Sequence, residues 1–278
     1  MLFRSNRNAQ SEYYLTDVVA KAVTDGVEVV AIRSDDLAEV AGVNSPAQLA
    51  ELERIHQRRQ AEQLMHQGVR LLDPARFDLR GELVCGSDVQ IDVNCVFSGR
   101  VELGSGVSIG AHCVLSDCVI EDGAQILPFT QIEGESLGVK VGAGARIGPY
   151  ARLRPGSDLG PEVHIGNFVE VKNSRMGAGS KANHLAYVGD TQMGSGVNYG
   201  AGSITANYDG AHKHTTVIED QVHVGSNCVI VAPVRLGAGG TIGGGSTITK
   251  DTPPGALTVA RGKQVSVANW KRPVKNKP

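Results

Sequence analysis

Three stretches of this sequence concentrate side chains able to do chemistry. One carries Arg154 in RLRPG and Lys172 in EVKN; another carries His184 in KANHLAYVGD, followed by NYGAGSITANYDG; the last is the basic run KRPVK. A histidine with its unperturbed pKa near 6.5 is suited to general-base work at neutral pH. An arginine fork and a lysine point charge together suit a phosphate. Each group also has a plainer reading: a histidine satisfied at a chain corner, solvated surface charge, or, for Asn-Tyr before Asp-Gly, an ordinary turn. No cysteine sits in a nucleophile motif, so covalent catalysis through a cysteine is not expected. His212 and His214 flank Lys213, but two loop histidines without a third ligand make a weak metal site.

Composition narrows what can hold these groups. Glycine supplies 35 of 278 residues, well above the usual level of about 7%, and aromatics only 4%. That much glycine does not suit helical bundles and implies very many turns. A net charge of −2 gives no bulk attraction to nucleic acid or an anionic membrane, so an anionic ligand needs a local basic cluster. The five cysteines are odd in number and lack CxxC spacing, which fits small buried hydrophobes in a reducing cytoplasm rather than zinc or disulfides. No apolar run approaches the roughly 18 residues of a membrane span, and no signal peptide opens the chain.

From about residue 78 an aliphatic residue, often followed by Gly, recurs every six positions. Ile147, Leu153, Leu159, Ile165 and Val171 hold the step; after a step of five it resumes at Met176, Ala182 and Val188, then Met193 and Tyr199, and again from Ile218 to Ile248. Leu103, Ile109 and Leu115, then Ile120, Ile126 and Ile132, carry it earlier. Six is neither a helical nor a simple strand period, and it fits a solenoid in which three hexapeptides make one triangular coil with the aliphatic residue inside. In known hexapeptide families such coils are left-handed. The expected fold is therefore mainly β, a left-handed parallel β-helix over 78–278, with Cys113 and Cys228 in its core. The break between Tyr199 and Ile218 reads as a loop expelled from the coil. Ahead of the repeats, 46–77 is expected to hold a linker helix capped by Ser45 and stopped by Gly68, with an apolar stripe of Leu49, Leu52, Ile55, Leu64 and Met65. Residues 1–45 read as a fragment of an α/β unit, with a helix over 12–26 and a short strand over 27–32.

The succession ARLRPG, HIGNFVEVKN, GSKANHLAYVGD, VNYGAGSITANYDG, HVGSN, VAPV, VAR and WKRPVK resembles the acetyltransferase half of the bifunctional GlmU family. That family pairs glucosamine-1-phosphate N-acetyltransferase with N-acetylglucosamine-1-phosphate uridyltransferase. The resemblance runs from Asn8 to Lys275; NAQSEYYLTD, EVAGVN and DPARFDLRG resemble the end of the uridyltransferase half and its linker. It implies that His184 is the general base, that Arg154, Lys172, Tyr187, Asn198 and Lys213 bind the sugar phosphate, and that Lys213 acts across a subunit boundary. It implies acetyl-CoA as co-substrate, held by Ala201, Asn207, Tyr208, Ser226, Gly244 and Arg261, with Gly244 standing where the family carries Ala. Asn207 would help polarise the thioester carbonyl. It further implies a cytoplasmic homotrimer with active sites between subunits, for which the flat faces of a triangular prism are suited. The product would enter UDP-N-acetylglucosamine synthesis, which feeds peptidoglycan and lipopolysaccharide. Asn44 matches a magnesium-contacting position of the uridyltransferase half, but the Gly-rich phosphate loop and the magnesium-binding Asp of that half are not in the sequence. Uridyltransferase activity is therefore not expected of this chain. The rival readings are a non-catalytic β-helix scaffold, a hexapeptide metalloenzyme, and an acetyltransferase for another amine.

Overall fold

In the computed structural model, which describes residue 9 and residues 14–272, the six-residue spacing becomes a parallel β-solenoid. The repeat's aliphatic residues line its interior: Ile147, Leu153, Leu159, Ile165 and Val171 are each at most 1% exposed. Ile147, Ile165, Ala182, Tyr199, Val224 and Ile242 lie side by side in successive strands. A continuous aliphatic stack of this kind buries enough apolar surface to dispense with aromatics. Cys95, Cys113, Cys118 and Cys228 are buried in it as free thiols.

The stack has three faces. The first is an 11-stranded parallel sheet running from Arg70–Leu71 to Leu257–Thr258. The other two belong to a 16-stranded sheet that bends where Val114–Ile120 pairs with both Gln131–Glu133 and Val139–Val141. The second face contains Arg152–Leu153, Glu170–Lys172, Tyr187–Gly189 and Ile204–Ala206 in adjacent coils. Corners are turned by left-handed residues, many of them not glycine: Asn173, Asp190, Phe168 and Leu185 have φ between 43° and 56°. The loop between Ile204–Ala206 and Thr216–Ile218 leaves the coil, and Tyr208 and Lys213 close it with an antiparallel bridge.

Residues 1–55 and 56–278 form two compact units. In the first, the helix is Asp17–Thr24, shorter than expected, and no strand forms over 27–32. Val27, Val29, Val30 and Ile32 are exposed. The β-prone run finds no partner strand among the described residues of its unit, and a lone extended segment cannot satisfy its backbone. The helix Pro46–His66 is capped as expected: the Ser45 hydroxyl accepts from the Gln48 N–H at 3.2 Å, and Gln48 Oε1 accepts from the Asn44 N–H at 2.7 Å. Its contact face keeps Leu64 and, half-buried, Leu52 of the expected stripe, and otherwise departs from it. Gln57, Ala61 and Leu64 are its buried residues, while Leu49, Ile55 and Met65 are exposed. Among the described residues the strand Phe77–Cys85 pairs only with Cys95–Leu103, which leaves its other edge without a strand. Gln57 takes that edge, accepting from the Leu79 N–H at 2.7 Å and donating to the Leu79 carbonyl at 2.8 Å. A side-chain amide here does the work of a strand, which apolar patterning cannot reveal.

Candidate active site

His184 ends the strand Lys181–His184 on the first face, one residue before the corner at Leu185. Strand pairing sets Asn167 directly below it, and Nδ1 of His184 lies 3.0 Å from Asn167 Oδ1. An amide oxygen only accepts, so Nδ1 is the donor in this contact, and in the neutral ring the lone pair therefore lies on Nε2. The imidazole is exposed and lines a cavity of about 300 Å³ together with Asn167, Asn183, Arg146, His164 and Pro149. An open imidazole oriented in this way is an arrangement that suits a general base.

The same corner continues upward through the turns that hold most of the expected acetyl-CoA residues. The N–H of Gly202, next to Ala201, donates to the His184 carbonyl at 3.2 Å; the Ala201 carbonyl accepts from Asn227, next to Ser226, at 2.8 Å; and the Ser226 carbonyl accepts from Gly245, next to Gly244, at 2.8 Å. Arg261 Nη1 donates to the Gly244 carbonyl at 2.7 Å. Ala201, Ser226, Gly244 and Arg261 thus form one column above His184. A Cβ at Gly244 would stand 3.3 Å from the Ser226 carbonyl, so glycine gives this groove slightly more room than alanine.

The cationic residues gather across the second face, at its other edge. Arg154 Nη1 donates to Glu170 Oε1 at 2.9 Å. Lys172 lies against Lys213 of the expelled loop, and this contact, followed by partial burial and the repulsion of Lys213 and Arg154, pushes its pKa below the ordinary lysine value; Asp190 acts in the opposite sense. Three cations here face two carboxylates, Glu170 paired to Arg154 and Asp190 near Lys172, so the cluster is left with one positive charge in excess, which suits a phosphate. Tyr187 stands between the two edges, in register with Glu170. Its hydroxyl crosses so close to Gly189 that any side chain there would collide with it.

Lys213 meets Lys172 of its own chain here. Asn207, buried at 8% exposure, donates its Nδ2 to Asp190 at the foot of the loop, and Tyr208 is exposed with its hydroxyl donating to the Gly210 carbonyl at 2.6 Å. Asn207 and Tyr208 therefore sit at the cationic edge rather than in the column of Ala201, Ser226 and Gly244. Asn198 is also apart: it projects from the first face between Lys181 and His223 and contacts His223 Nε2 at 3.4 Å. Asn44 belongs to the unit 1–55, its N–H is used by Gln48, and no group of three His, Cys, Asp or Glu able to hold a metal occurs among the described residues. Lys275 and most of the KRPVK run lie outside the described residues.

The sequence reading missed Asn167, Glu170 and Asp190. Asn167 precedes His184 by one coil of seventeen residues, so a coil-by-coil alignment of the repeats would have paired them. Asp209 was missed as well. It accepts from the N–H groups of Ala211 and His212 at 2.8 and 2.7 Å and from His214 Nε2 at 2.7 Å, which holds its carboxyl far below the usual range and fixes the loop that carries Lys213.

The fold and the corner site define a hexapeptide-repeat protein of the transferase type: residues 138–173 and 215–250 match the family model described as bacterial transferase hexapeptide (six repeats). More narrowly, the chain belongs to the GlmU family, of which it spans the hexapeptide-bearing C-terminal half. It is 68% identical over 279 residues to the bifunctional protein GlmU of Acidovorax ebreus (strain TPSY), covering 98% of this chain and 59% of that protein. It is 72% identical over 270 residues to the bifunctional protein GlmU of Polaromonas sp. (strain JS666 / ATCC BAA-500), covering 97% and 56%. The chain thus spans somewhat more than half the length of these relatives. Among solved structures, the UDP-N-acetylglucosamine acyltransferase of Francisella novicida superposes with a TM-score of 0.48 at 16% identity, over 66% of this chain and 65% of that one.

Proposed function

We propose that this chain transfers the acetyl group of acetyl-CoA to the amino group of glucosamine 1-phosphate, releasing coenzyme A and N-acetylglucosamine 1-phosphate. The observation that carries the proposal is the pairing of His184, its Nε2 left free by Asn167, with a three-cation cluster on the opposite edge of the adjoining face. A sugar phosphate has the matching polarity, with an anion at one end and an amine at the other. An amine attacks a thioester only when neutral, so the ammonium first gives one proton to water; as the nitrogen lone pair then adds to the acetyl carbonyl, Nε2 of His184 takes a second proton from that nitrogen. The tetrahedral oxyanion is met by the second Asn207 N–H, the first being given to Asp190. Collapse expels the thiolate, and the imidazolium returns its proton to sulfur.

Arg154, Lys172 and Lys213 bind the phosphate, Tyr187 and Asn198 contact the sugar, and the column of Ala201, Ser226, Gly244 and Arg261 carries the cofactor together with Tyr208. Asn198 and the cofactor column lie on one side of the corner, and Asn207 and the clamp on the other. A homotrimer in which the first face of one copy meets the second face of the next unites them. The buried free thiols and the use of acetyl-CoA suit a cytoplasmic setting. No helix among the described residues is long and apolar enough to cross a membrane. Uridyl transfer by the whole GlmU protein is a separate activity, and we assign this chain acetyl transfer alone.

The test is substrate choice. With acetyl-CoA and free thiol as the readout, glucosamine 1-phosphate is expected to be acetylated at least tenfold more efficiently than glucosamine or glucosamine 6-phosphate, because only it carries the phosphate at the clamp's reach. Equal rates with all three would overturn the assignment of the clamp, and no rate with any of them the assignment of the reaction.

A further inference from the structure

Asp190 turns the corner after Tyr187–Gly189 and is 8% exposed. Its φ of 48° belongs to a column of left-handed corners that includes Gly156 at 78° and Asn173 at 43° in the two coils below. Glycine and asparagine serve that conformation as well as aspartate does, so the backbone does not explain a carboxylate. Burying one is costly unless it is fully hydrogen-bonded. Here both oxygens are used: Oδ1 accepts from Asn173 Nδ2 and Oδ2 from Asn207 Nδ2. The backbone of Asp190 is also shared, its N–H donating to the Lys172 carbonyl at 3.1 Å and its carbonyl accepting from the Thr216 N–H at 3.2 Å. Asp190 therefore touches the clamp strand below it and both feet of the expelled loop, Asn207 where the loop leaves and Thr216 where it returns.

We propose that Asp190 is a positioning residue of the acetyl-transfer site, tying Asn207 and the Lys213 loop to the clamp strand and supplying the buried negative charge beneath the three cations. This rests on the acetyltransferase reading above. Because a carboxylate is an acceptor at both oxygens, it forces both neighbouring amides to present N–H inward, which fixes the direction of the Asn207 group. The groups facing Lys172 are Lys213 from the loop, Arg154 from the coil below, Glu170 on its own strand through Arg154, and Asp190. Asp190 is the member of this set that favours the charged form of Lys172, against Lys213 and Arg154. Removing its charge leaves Lys172 easier to deprotonate, so phosphate binding fails at a lower pH.

The experiment compares the wild-type chain with D190N and with the swap N173D/D190N. The amide at 190 cannot accept from both neighbours, whereas the swap restores every hydrogen bond and returns the charge one coil lower. D190N is expected to keep its assembly and to lose about tenfold or more in kcat, on the scale of a misdirected oxyanion donor. The alkaline limb of its KM for glucosamine 1-phosphate should move to lower pH, and the swap should recover to within about threefold of wild type in kcat. A folded D190N with kcat within twofold and an unmoved limb would overturn the proposal. If D190N does not fold, the swap decides: a folded swap below a tenth of wild-type kcat overturns it, and a folded, active swap supports it. The titration of Lys172, followed by NMR of ¹³C-labelled lysine without substrate, separates this from the parent reading. A wild-type chain with no acetyl transfer removes that reading, while a lower Lys172 midpoint in D190N, or in the swap relative to D190N a recovered one, still supports the role of the charge, and an unchanged midpoint contradicts it.

Discussion

At one edge of the second face a single hydrogen bond between His184 and Asn167 orients the proposed base; at the other edge three cations gather around two carboxylates, Glu170 and Asp190. The first edge is solved by strand register. Once the coils stack, Asn167 lies under His184 and no further device is needed. The second edge is left electrostatically incomplete. Its energy is improved by a ligand, and it depends on an expelled loop that needs its own supports, Asp209 within the loop and Asp190 beneath it. The contrast teaches that a solenoid supplies precise placement at no extra cost, while strong anion binding has to be added as a departure from the repeat.

The largest expected effect breaks the first edge. H184A should lower kcat by roughly 10² to 10⁴, the usual worth of a general base, with folding unaffected because the side chain is exposed. An acetyl-transfer assay checks this alongside circular dichroism. At the second edge, K172A should raise KM for the sugar phosphate by about ten- to a hundredfold and leave kcat nearly unchanged, since charged hydrogen bonds contribute about 1.5–3 kcal/mol. If kcat falls instead, the two edges are not separable in the way described.

The pH dependence sharpens the same contrast. Because the pKa of Lys172 lies below the ordinary lysine value, its charge is present at low pH and lost as pH rises through that lowered value. KM for the sugar phosphate should therefore rise with pH below the range near 10.4 of a free lysine. Measurement of KM from pH 6 to 10 checks this, and K172R should abolish the early rise. A smaller effect is expected for N167A, which frees the imidazole to turn: about fivefold in kcat, from the roughly 1 kcal/mol of one neutral hydrogen bond. The smallest concerns the core. The Tyr199 hydroxyl is buried without a hydrogen-bond partner among the described residues, so Y199F should leave kcat unchanged and raise stability by up to about 1 kcal/mol, seen as a higher Tm.

The solenoid was legible because its signal is redundant. Every inward residue named from the repeat, from Leu103 to Ile248, is buried, and the steps of five reappear as coils of seventeen residues. The candidate site was legible only through whole motifs; periodicity assigns His184 no role. Asn167 and Asp190 stayed hidden because each acts on a residue seventeen positions away, a contact made by stacking and invisible to local patterning. The contact of helix Pro46–His66 was misread for a related reason: a hydrophobic stripe predicts apolar burial, whereas Gln57 is buried to complete a strand edge. The run over 27–32 has strand composition but no neighbour among the described residues of its unit, and propensity alone does not make a strand.

The central claim is that His184, oriented by Asn167, deprotonates an amine whose phosphate is held at the opposite edge. It is tested most directly by following coenzyme A thiol release with glucosamine 1-phosphate and acetyl-CoA in the wild-type chain and in H184A. Thiol release that requires both substrates and falls by at least a hundredfold in the folded variant is the predicted result. Release that persists in H184A, or that does not require glucosamine 1-phosphate, would contradict it.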